Sequence, residues 1–468
     1  MGRSLSHRQL EYLVAGMTIA EQRRSSSRKG LYMNTPAPKG NGEKLSLKEV
    51  IAMGIGGMVG GGIFSVLGLA IAQAGHAAPI AFAIGGIIAL ITGLSYAHLG
   101  LAFQSSGGSF TFLEHAFRNR NIAAMGGWLL LVGYVGTMAL YSYTFGVYGS
   151  AMLGDNGSSP AMHHLLETLI LLTFLGINLY GIKASGTSEL LIVTVKVIIL
   201  FLFAAIGLFY IKADYVLPVF NQGHTGVLMA AALIFVAYEG FELIPNAINE
   251  MENPQRNLKR AIVWSIGVTI AIYVLVSLVA VGNLLPDEVS KYKEYALAVA
   301  AKPFLGQAGF LLIGLAALFS TASAINATMF GTARLGMIMA KEKALPTVFG
   351  FRRKQNNIPW VSLVAITLVT LAFVNLANLT IISSFASSTF LLIFAAINLS
   401  AWRLRKKISS GAILPLTGLF LSLVSWVALV VYLWNTNTSN LLWIGIIYLS
   451  VIIAELLFSQ RRLLLKSH

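Results

Sequence analysis

The 468-residue chain contains no cysteine, and Asp, Glu, Lys and Arg together make up only 11% of it. Without a thiol there is no disulfide, no thiolate metal site and no cysteine nucleophile. Soluble domains carry about 25% charged residues. A share of 11%, beside 56% hydrophobic residues and a mean hydropathy of +0.75, excludes a water-soluble globular protein and defines an all-α integral membrane protein. Paired catalytic groups are missing as well: the sequence has no HExxH, no GxSxG and no aspartate dyad, so nothing favours an intramembrane enzyme. His98, His163 and His164 stand without the clustered partners of a metal site, and no metal or cofactor is expected.

Twelve apolar stretches approach the ~20 residues that span a bilayer. They run over 50–74, 78–104, 123–153, 161–181, 186–212, 225–251, 260–284, 306–340, 358–378, 380–402, 411–434 and 440–460. The net charge of +15 could point to nucleic acid, but its distribution points to topology. Arg118, Arg120, Lys183, "PQRNLKR" at 254–260, "FRRKQ" at 351–355 and "RLRKK" at 403–407 fall on alternate connections. The intervening ones, such as "GDNGSSP" at 154–160 and "NTNTSN" at 435–440, are poor in positive charge; Lys212, Lys291, Lys293 and Lys302 are the main exceptions. This positive-inside pattern places both termini in the cytoplasm, with the lipid bilayer rather than a nucleic acid as partner.

Residues 1–45 are polar and basic, with "RRSSSRKG" at 23–30, and read as a disordered cytoplasmic tail. Its apolar piece "YLVAG" at 12–16 is too short for a span. Met33 would serve equally as a start, and the basic run is compatible with anionic lipid headgroups.

The first span carries "GIGGMVGGGIF" at 54–64, six glycines in eleven residues. Each glycine costs a helix interior roughly 1 kcal/mol relative to alanine. Close helix packing needs one small residue per turn on one face, whereas Gly60, Gly61 and Gly62 crowd around the helix, so the span is expected to break there. Irregular backbone inside a membrane is tolerated only where it is buried in protein or lines a cavity. Transporters built from inverted repeats pair one broken helix with a second in the other half of the chain. For a five-helix repeat the partner is the sixth span, which reads "LIFVAYEGFELIPNAINEMENP" at 233–254 and holds Gly240, Pro245, Glu239 and Glu242.

"GGMVGGGIF" at 56–64, "AYEGFE" at 237–242, "NEMENPQRNLKRAI" at 249–262, "KEYALAVAAKPFLG" at 293–306, "LFSTASAINAT" at 318–328 and "KALP" at 343–346 resemble the amino acid–polyamine–organocation (APC) transporter superfamily. Among its members the chain is similar to the proton-coupled, broad-specificity prokaryotic amino acid transporters, over residues 46 to about 460. The resemblance implies a LeuT-like five-plus-five inverted repeat over 46–402 and two additional C-terminal helices over 403–468, as a monomer or homodimer. It implies an amino acid substrate whose carboxylate meets the N–H groups of Gly60, Gly61 and Gly62, where a half-helix N-terminus favours an anion. The ammonium would meet carbonyls of Met58, Val236 and Glu239. Val236 stands where relatives often carry a closing aromatic, so gating passes to Phe235 or Phe241.

Lys196 lies inside "LIVTVKVIILFLF", where a charge is costly and usually functional. By resemblance it replaces a bound sodium ion, with the Gly56 carbonyl and the Ser320 hydroxyl as partners. Two readings stay open: a permanently charged brace, or an amine that gives and takes the coupling proton. Glu242 matches a position often acidic in the superfamily and is a gating or secondary proton candidate. Glu239 is unusual: it would pair with a cationic substrate side chain, or turn away to backbone N–H groups or Lys196.

A channel needs repeated pore-lining motifs rather than two broken helices and a buried lysine. A transporter-like sensor would keep the same site but usually adds a long folded tail. The sequence therefore defines a secondary transporter of the cell membrane working by alternating access, either proton symport or sodium-independent exchange of amino acids, cationic ones and polyamines included.

Overall fold

Ser46 opens the helical body. Its Oγ accepts from the Glu49 N–H at 3.4 Å while Glu49 Oε2 accepts from the Ser46 N–H at 2.8 Å, the reciprocal pair that a Ser-x-x-Glu sequence makes at a helix start. The computed structural model describes residues 44–105, 107–117, 120–154, 159–181, 186–353 and 358–458. The expected tail up to residue 43, Arg118, Lys183, much of the 154–160 loop, the end of "FRRKQ" and the last ten residues lie outside them.

The main helices are α1 (Leu47–Met58), α2 (Gly62–Ala74), α3 (Ala78–Phe103), α4 (Gly108–Ala116), α5 (Arg120–Met152), α6 (Pro160–Tyr180) and α7 (Gly186–Gly207). They continue with α8 (Gly223–Leu233), α9 (Pro254–Asn283), α10 (Lys302–Lys341), α11 (Trp360–Leu376), α12 (Leu379–Arg403), α13 (Ile413–Thr436) and α14 (Thr438–Phe458). Their ends follow local chemistry. Ser159 and Asn378 accept from N–H groups three residues on, capping α6 and α12, and Pro160 follows Ser159 where its missing N–H costs nothing. Gly181 closes α6 at φ +81, a conformation that glycine adopts without strain.

Among the described residues nine helices are long and apolar enough to cross a membrane, or ten with the bent pair at 223–250. Twelve is not reached by length alone. The α1 segment has 12 residues and α11 has 17, while α2 and α3 count together as one 42-residue run through a turn at Gly75–Ala77. The 40 residues of α10 exceed a bilayer, and Gly306 at φ +60 interrupts them.

Two groups of helices pack against each other. In one, α3 lies along α9 and α9 against α1; in the other, α5 contacts α10, α6 and α12, and α6 contacts α11. Asn398 of α12 joins the groups by donating to Thr92 Oγ1 at 2.9 Å and accepting from Ser95 Oγ at 2.7 Å, both on α3. The helices α6, α13 and α14 bury least and turn apolar side chains such as Leu172, Phe420 and Leu442 outward, as a lipid-facing surface requires. The centre between the two groups is where the helices break.

Candidate functional site

The first break falls where the glycines predict it. Val59 leaves the helix at ψ +45 after its N–H closes a last bond to Ile55 O at 2.7 Å, and α2 restarts at Gly62 behind Gly61. First-turn N–H groups of a helix lack intrahelical acceptors, so the amides around Gly61 and Gly62 head α2 as an anion-favouring end. Ser65 holds the restart by donating its Oγ and its N–H to Gly61 O, at 2.6 and 3.0 Å, and its hydroxyl also meets that of Thr144 on α5.

The second break runs from Ile234 to Gly240. After α8 the chain makes a 3₁₀ turn over Phe235–Tyr238, passes Gly240 at φ +122 and continues as 3₁₀ helix over Phe241–Glu250, bent by 49°. Its freed backbone groups are served by α12: Ser383 and Ser387 donate to Leu233 O at 3.0 and 2.7 Å, and Ser387 Oγ accepts from Val236 N–H at 3.0 Å.

The breaks touch. A Cβ on Gly57 would stand 3.2 Å from Gly240 Cα, and one on Gly62 would stand 2.6 Å from Ala237 Cα, so backbone packs on backbone at both points. Tyr273 of α9, fully buried, ties them together: its hydroxyl donates to Met58 O at 2.7 Å and to Ala237 O at 2.9 Å.

Lys196, 1% exposed, donates from Nζ to Gly56 O at 2.9 Å. Ser320 of α10 donates to Val59 O at 2.6 Å, so it reaches the carbonyl three residues beyond the one at which Lys196 ends. Lysine and serine thus serve two open carbonyls of the same broken helix.

Two of the three predicted carbonyl ligands are occupied in this conformation. Met58 O accepts from Tyr273, and Val236 O accepts from Glu239 N–H at 3.1 Å in the 3₁₀ turn. The Glu239 carboxylate neither turns to backbone amides nor pairs with Lys196; it accepts from the hydroxyl of Thr137 on α5. Glu242 folds back, Oε2 accepting from Gly240 N–H at 2.7 Å and Oε1 from Tyr134 Oη at 3.4 Å. Phe235 and Phe241 pack on Phe394 with centroids 5.7 and 5.1 Å away, and Phe241 also on Tyr96. The aromatic ring over Gly60 and Gly61 is that of Tyr141 instead.

Sequence reasoning missed Tyr273 and one face of α5. Tyr134, Thr137, Tyr141 and Thr144 recur at spacings of three, four and three, a helical stripe of polar groups inside an apolar helix, and all four reach the breaks. That spacing was the available signal.

A cleft of about 290 Å³ leads in from the side where α1 begins. Met53, Asn246 and Glu250 form one wall, Thr328 and Arg334 of α10 the other, and Tyr134 stands among the lining residues beside Glu242. On the opposite side the main chain of Lys293 lies against Gly68, Tyr148 donates to Phe64 O at 3.0 Å, and Tyr143 donates to Glu294 Oε1 at 2.5 Å.

Two discontinuous helices meet at a buried polar centre beside this cleft, the architecture of a membrane transporter. The family described as amino acid permease matches residues 45–455, and the chain belongs to it, within the APC superfamily. It is 36% identical over 427 residues to the uncharacterized protein MJ0609 of Methanocaldococcus jannaschii, covering 89% of this chain and 96% of that one. It is 32% identical over 430 residues to the inner membrane transport protein YbaT of Escherichia coli (90% and 98%). It is 26% identical over 361 residues to the serine/threonine exchanger SteT of Bacillus subtilis (73% and 80%).

Proposed function

We propose that the protein is a secondary active transporter of L-amino acids in the cell membrane, coupled to protons through Lys196. The observation that carries this reading is the bond from the buried Lys196 Nζ to Gly56 O, two residues before the end of α1. The protonated amine holds that carbonyl; loss of the proton weakens the bond and loosens the inner half of the first span, so substrate and proton leave on the same side. Substrate carboxylate binds at Gly60, Gly61 and Gly62. Its ammonium competes for the carbonyls of Met58, Val236 and Glu239, displacing donors such as Tyr273 as it arrives.

Twelve spans follow when α1 and α2 are joined as one broken helix, α3 is counted separately, the bent segment at 223–250 is one span, and the 17-residue α11 is added to the remainder. A five-plus-five repeat is supported by the recurrence of a break five spans on and by the pairwise packing of α3 with α9, α5 with α10 and α6 with α11. These are the second with the seventh span, the third with the eighth and the fourth with the ninth. Sidedness rests on the distribution of Lys and Arg, which puts both termini and the open cleft in the cytoplasm.

A sodium-independent exchanger is the second reading, favoured by the serine/threonine exchanger among the relatives. The test is radiolabelled amino acid uptake into sodium-free proteoliposomes with an inward proton gradient. Uphill uptake into empty vesicles, lost in Lys196→Ala, is the expected result. Uptake only into amino-acid-loaded vesicles and indifferent to pH makes the protein an exchanger with a bracing lysine; gradient-driven accumulation by Lys196→Ala refutes the coupling role.

A further inference from the structure

We propose that Glu239, presented by Thr137, is the group that recognises the substrate's side chain, and that it selects amino acids ending in a cation, of the length of lysine or ornithine. The inference rests on the transporter reading above.

The two carboxylates beside Gly240 are used differently by the fold. Glu242 is absorbed by it: its oxygens take the Gly240 N–H and the Tyr134 hydroxyl, and it stands in the first turn of the 241–250 helix, where a negative charge is favoured. Glu239 is not. It is 3% exposed, comes off an extended residue at φ −61 and ψ 145 on the rim of the break, and receives one side-chain donor, the Thr137 hydroxyl. An ionised carboxylate offers about four acceptor positions. No lysine, arginine or histidine of the described residues forms an ion pair with Glu239, while the buried lysine of the site is directed to Gly56 O. Buried charges are ordinarily paired. A cationic ligand placed beside Glu239 would supply a counter-charge and favour the ionised carboxylate.

Position agrees with charge. Tyr141 lies over Gly60 and Gly61, where the substrate's carboxylate binds, and Thr137 is four residues earlier on the same face of α5. That separation is about 6 Å along the helix axis, matched by a three- or four-carbon side chain reaching from the α-carbon to its terminal ammonium. A zwitterionic substrate with an apolar side chain would leave the carboxylate uncompensated, and one with an acidic side chain would face it directly, so the site discriminates by repulsion as well as attraction.

Lysine and norleucine differ in that distal ammonium at nearly equal length, and they supply the test. Uptake of radiolabelled lysine and of radiolabelled alanine is measured in sodium-free proteoliposomes with each of the two as competitor, for the wild type, Glu239→Gln and Thr137→Val. The wild type is expected to be inhibited by lysine at a concentration about tenfold or more below that for norleucine, the loss of one buried charge partner being worth at least that much. Glu239→Gln collapses this ratio toward one, and Thr137→Val reduces it. The wild-type ratio needs no variant, so a misfolded variant leaves the inference testable. Norleucine matching or beating lysine in the wild type overturns the inference and leaves the transporter reading intact. So does a Glu239→Gln protein that keeps the ratio and changes only the pH dependence, which would assign the carboxylate to the proton. Absence of uptake for every amino acid overturns the transporter reading, and this inference with it.

Discussion

Replacing Tyr273 with phenylalanine removes one oxygen from the point where the two broken helices meet. The ring is held independently of that oxygen, with centroids 5.6 Å from Phe82 and 5.1 Å from Tyr238, so no cavity larger than a hydroxyl opens. What is lost is the donor to Met58 O at 2.7 Å and Ala237 O at 2.9 Å. A buried acceptor left without its partner costs about 1–3 kcal/mol; a single hydroxyl has one proton to divide between two carbonyls, so the two losses are not counted twice. The expected penalty of about 1–3 kcal/mol corresponds to roughly 5- to 150-fold in an equilibrium constant. Because both carbonyls lie at the breaks, that penalty falls on the arrangement of the transport site.

Tyr238 supplies the control. It is equally buried, but its hydroxyl donates to Phe82 O at 2.7 Å, a carbonyl in the first turns of the continuous helix α3. Tyr273→Phe and Tyr238→Phe should lower thermal stability in detergent to a similar extent. Only Tyr273→Phe should change the KM for amino acid uptake by fivefold or more. Equal kinetic effects from the two variants, or a Tyr273→Phe protein within twofold of the wild type in KM and maximal rate, would refute the assignment.

Backbone contacts at the breaks give a second expectation. A methyl group on Gly62 meets Ala237 Cα at 2.6 Å, and Gly240 at φ +122 sits within 2.5 Å of Gly57 C if given a Cβ. No rotamer relieves backbone, so Gly62→Ala and Gly240→Ala should each cost at least the ~1–3 kcal/mol of an overpacked core and abolish measurable uptake. Gly176→Ala, whose Cβ meets nothing within 4 Å, should transport normally in the same assay. The third expectation uses the absence of native cysteine. Leu45 accepts from Glu252 N–H at 2.9 Å and donates to Glu250 O at 2.7 Å, which fastens the start of α1 to the end of the 241–250 segment. Paired strands lie about 4.8 Å apart, inside the ~4.4–6.8 Å that a disulfide spans. A Leu45→Cys, Met251→Cys protein should therefore oxidise to a crosslinked form that keeps its transport rate within twofold, the two segments moving together. Inhibition on oxidation, reversed by a thiol reductant, would show that they separate in each cycle.

Much of the site was legible because its features are expensive. Three adjacent glycines in a spanning helix, or a lysine in an unbroken apolar run, persist only where something compensates them, and both Gly60–Gly62 and Lys196 lie at the break. The faces of the sixth span were harder to read. Phe241–Glu250 is 3₁₀, turning in three residues rather than 3.6, so each residue advances about 120° instead of 100° and positions carried over from a helical register rotate away. Phe235 and Phe241 sit on Phe394 rather than over the glycines. The number of spans suffers from a related ambiguity, since half-helices such as α1 fall below any length that marks a span. Tyr273 was invisible for another reason. A tyrosine in an apolar helix has many possible acceptors, and which carbonyl it finds depends on how α9 lies against two chain segments distant in sequence.

Several partners of the broken backbone come from neighbouring helices: Lys196 from α7, Tyr273 from α9, Ser320 from α10, and Ser383 and Ser387 from α12. The carbonyls of Gly56, Met58, Val59, Leu233 and Ala237 are met by hydroxyls or one amine. A ladder bond is exchanged only by unfolding a turn, whereas a bond from one side chain is exchanged by rotating that side chain, provided another donor takes its place. An amino acid ammonium is such a donor for Met58 O, and a change of protonation is such an exchange at Gly56 O. The same arrangement that lets two helices break inside a membrane therefore makes the breaks responsive to the species proposed to cross it.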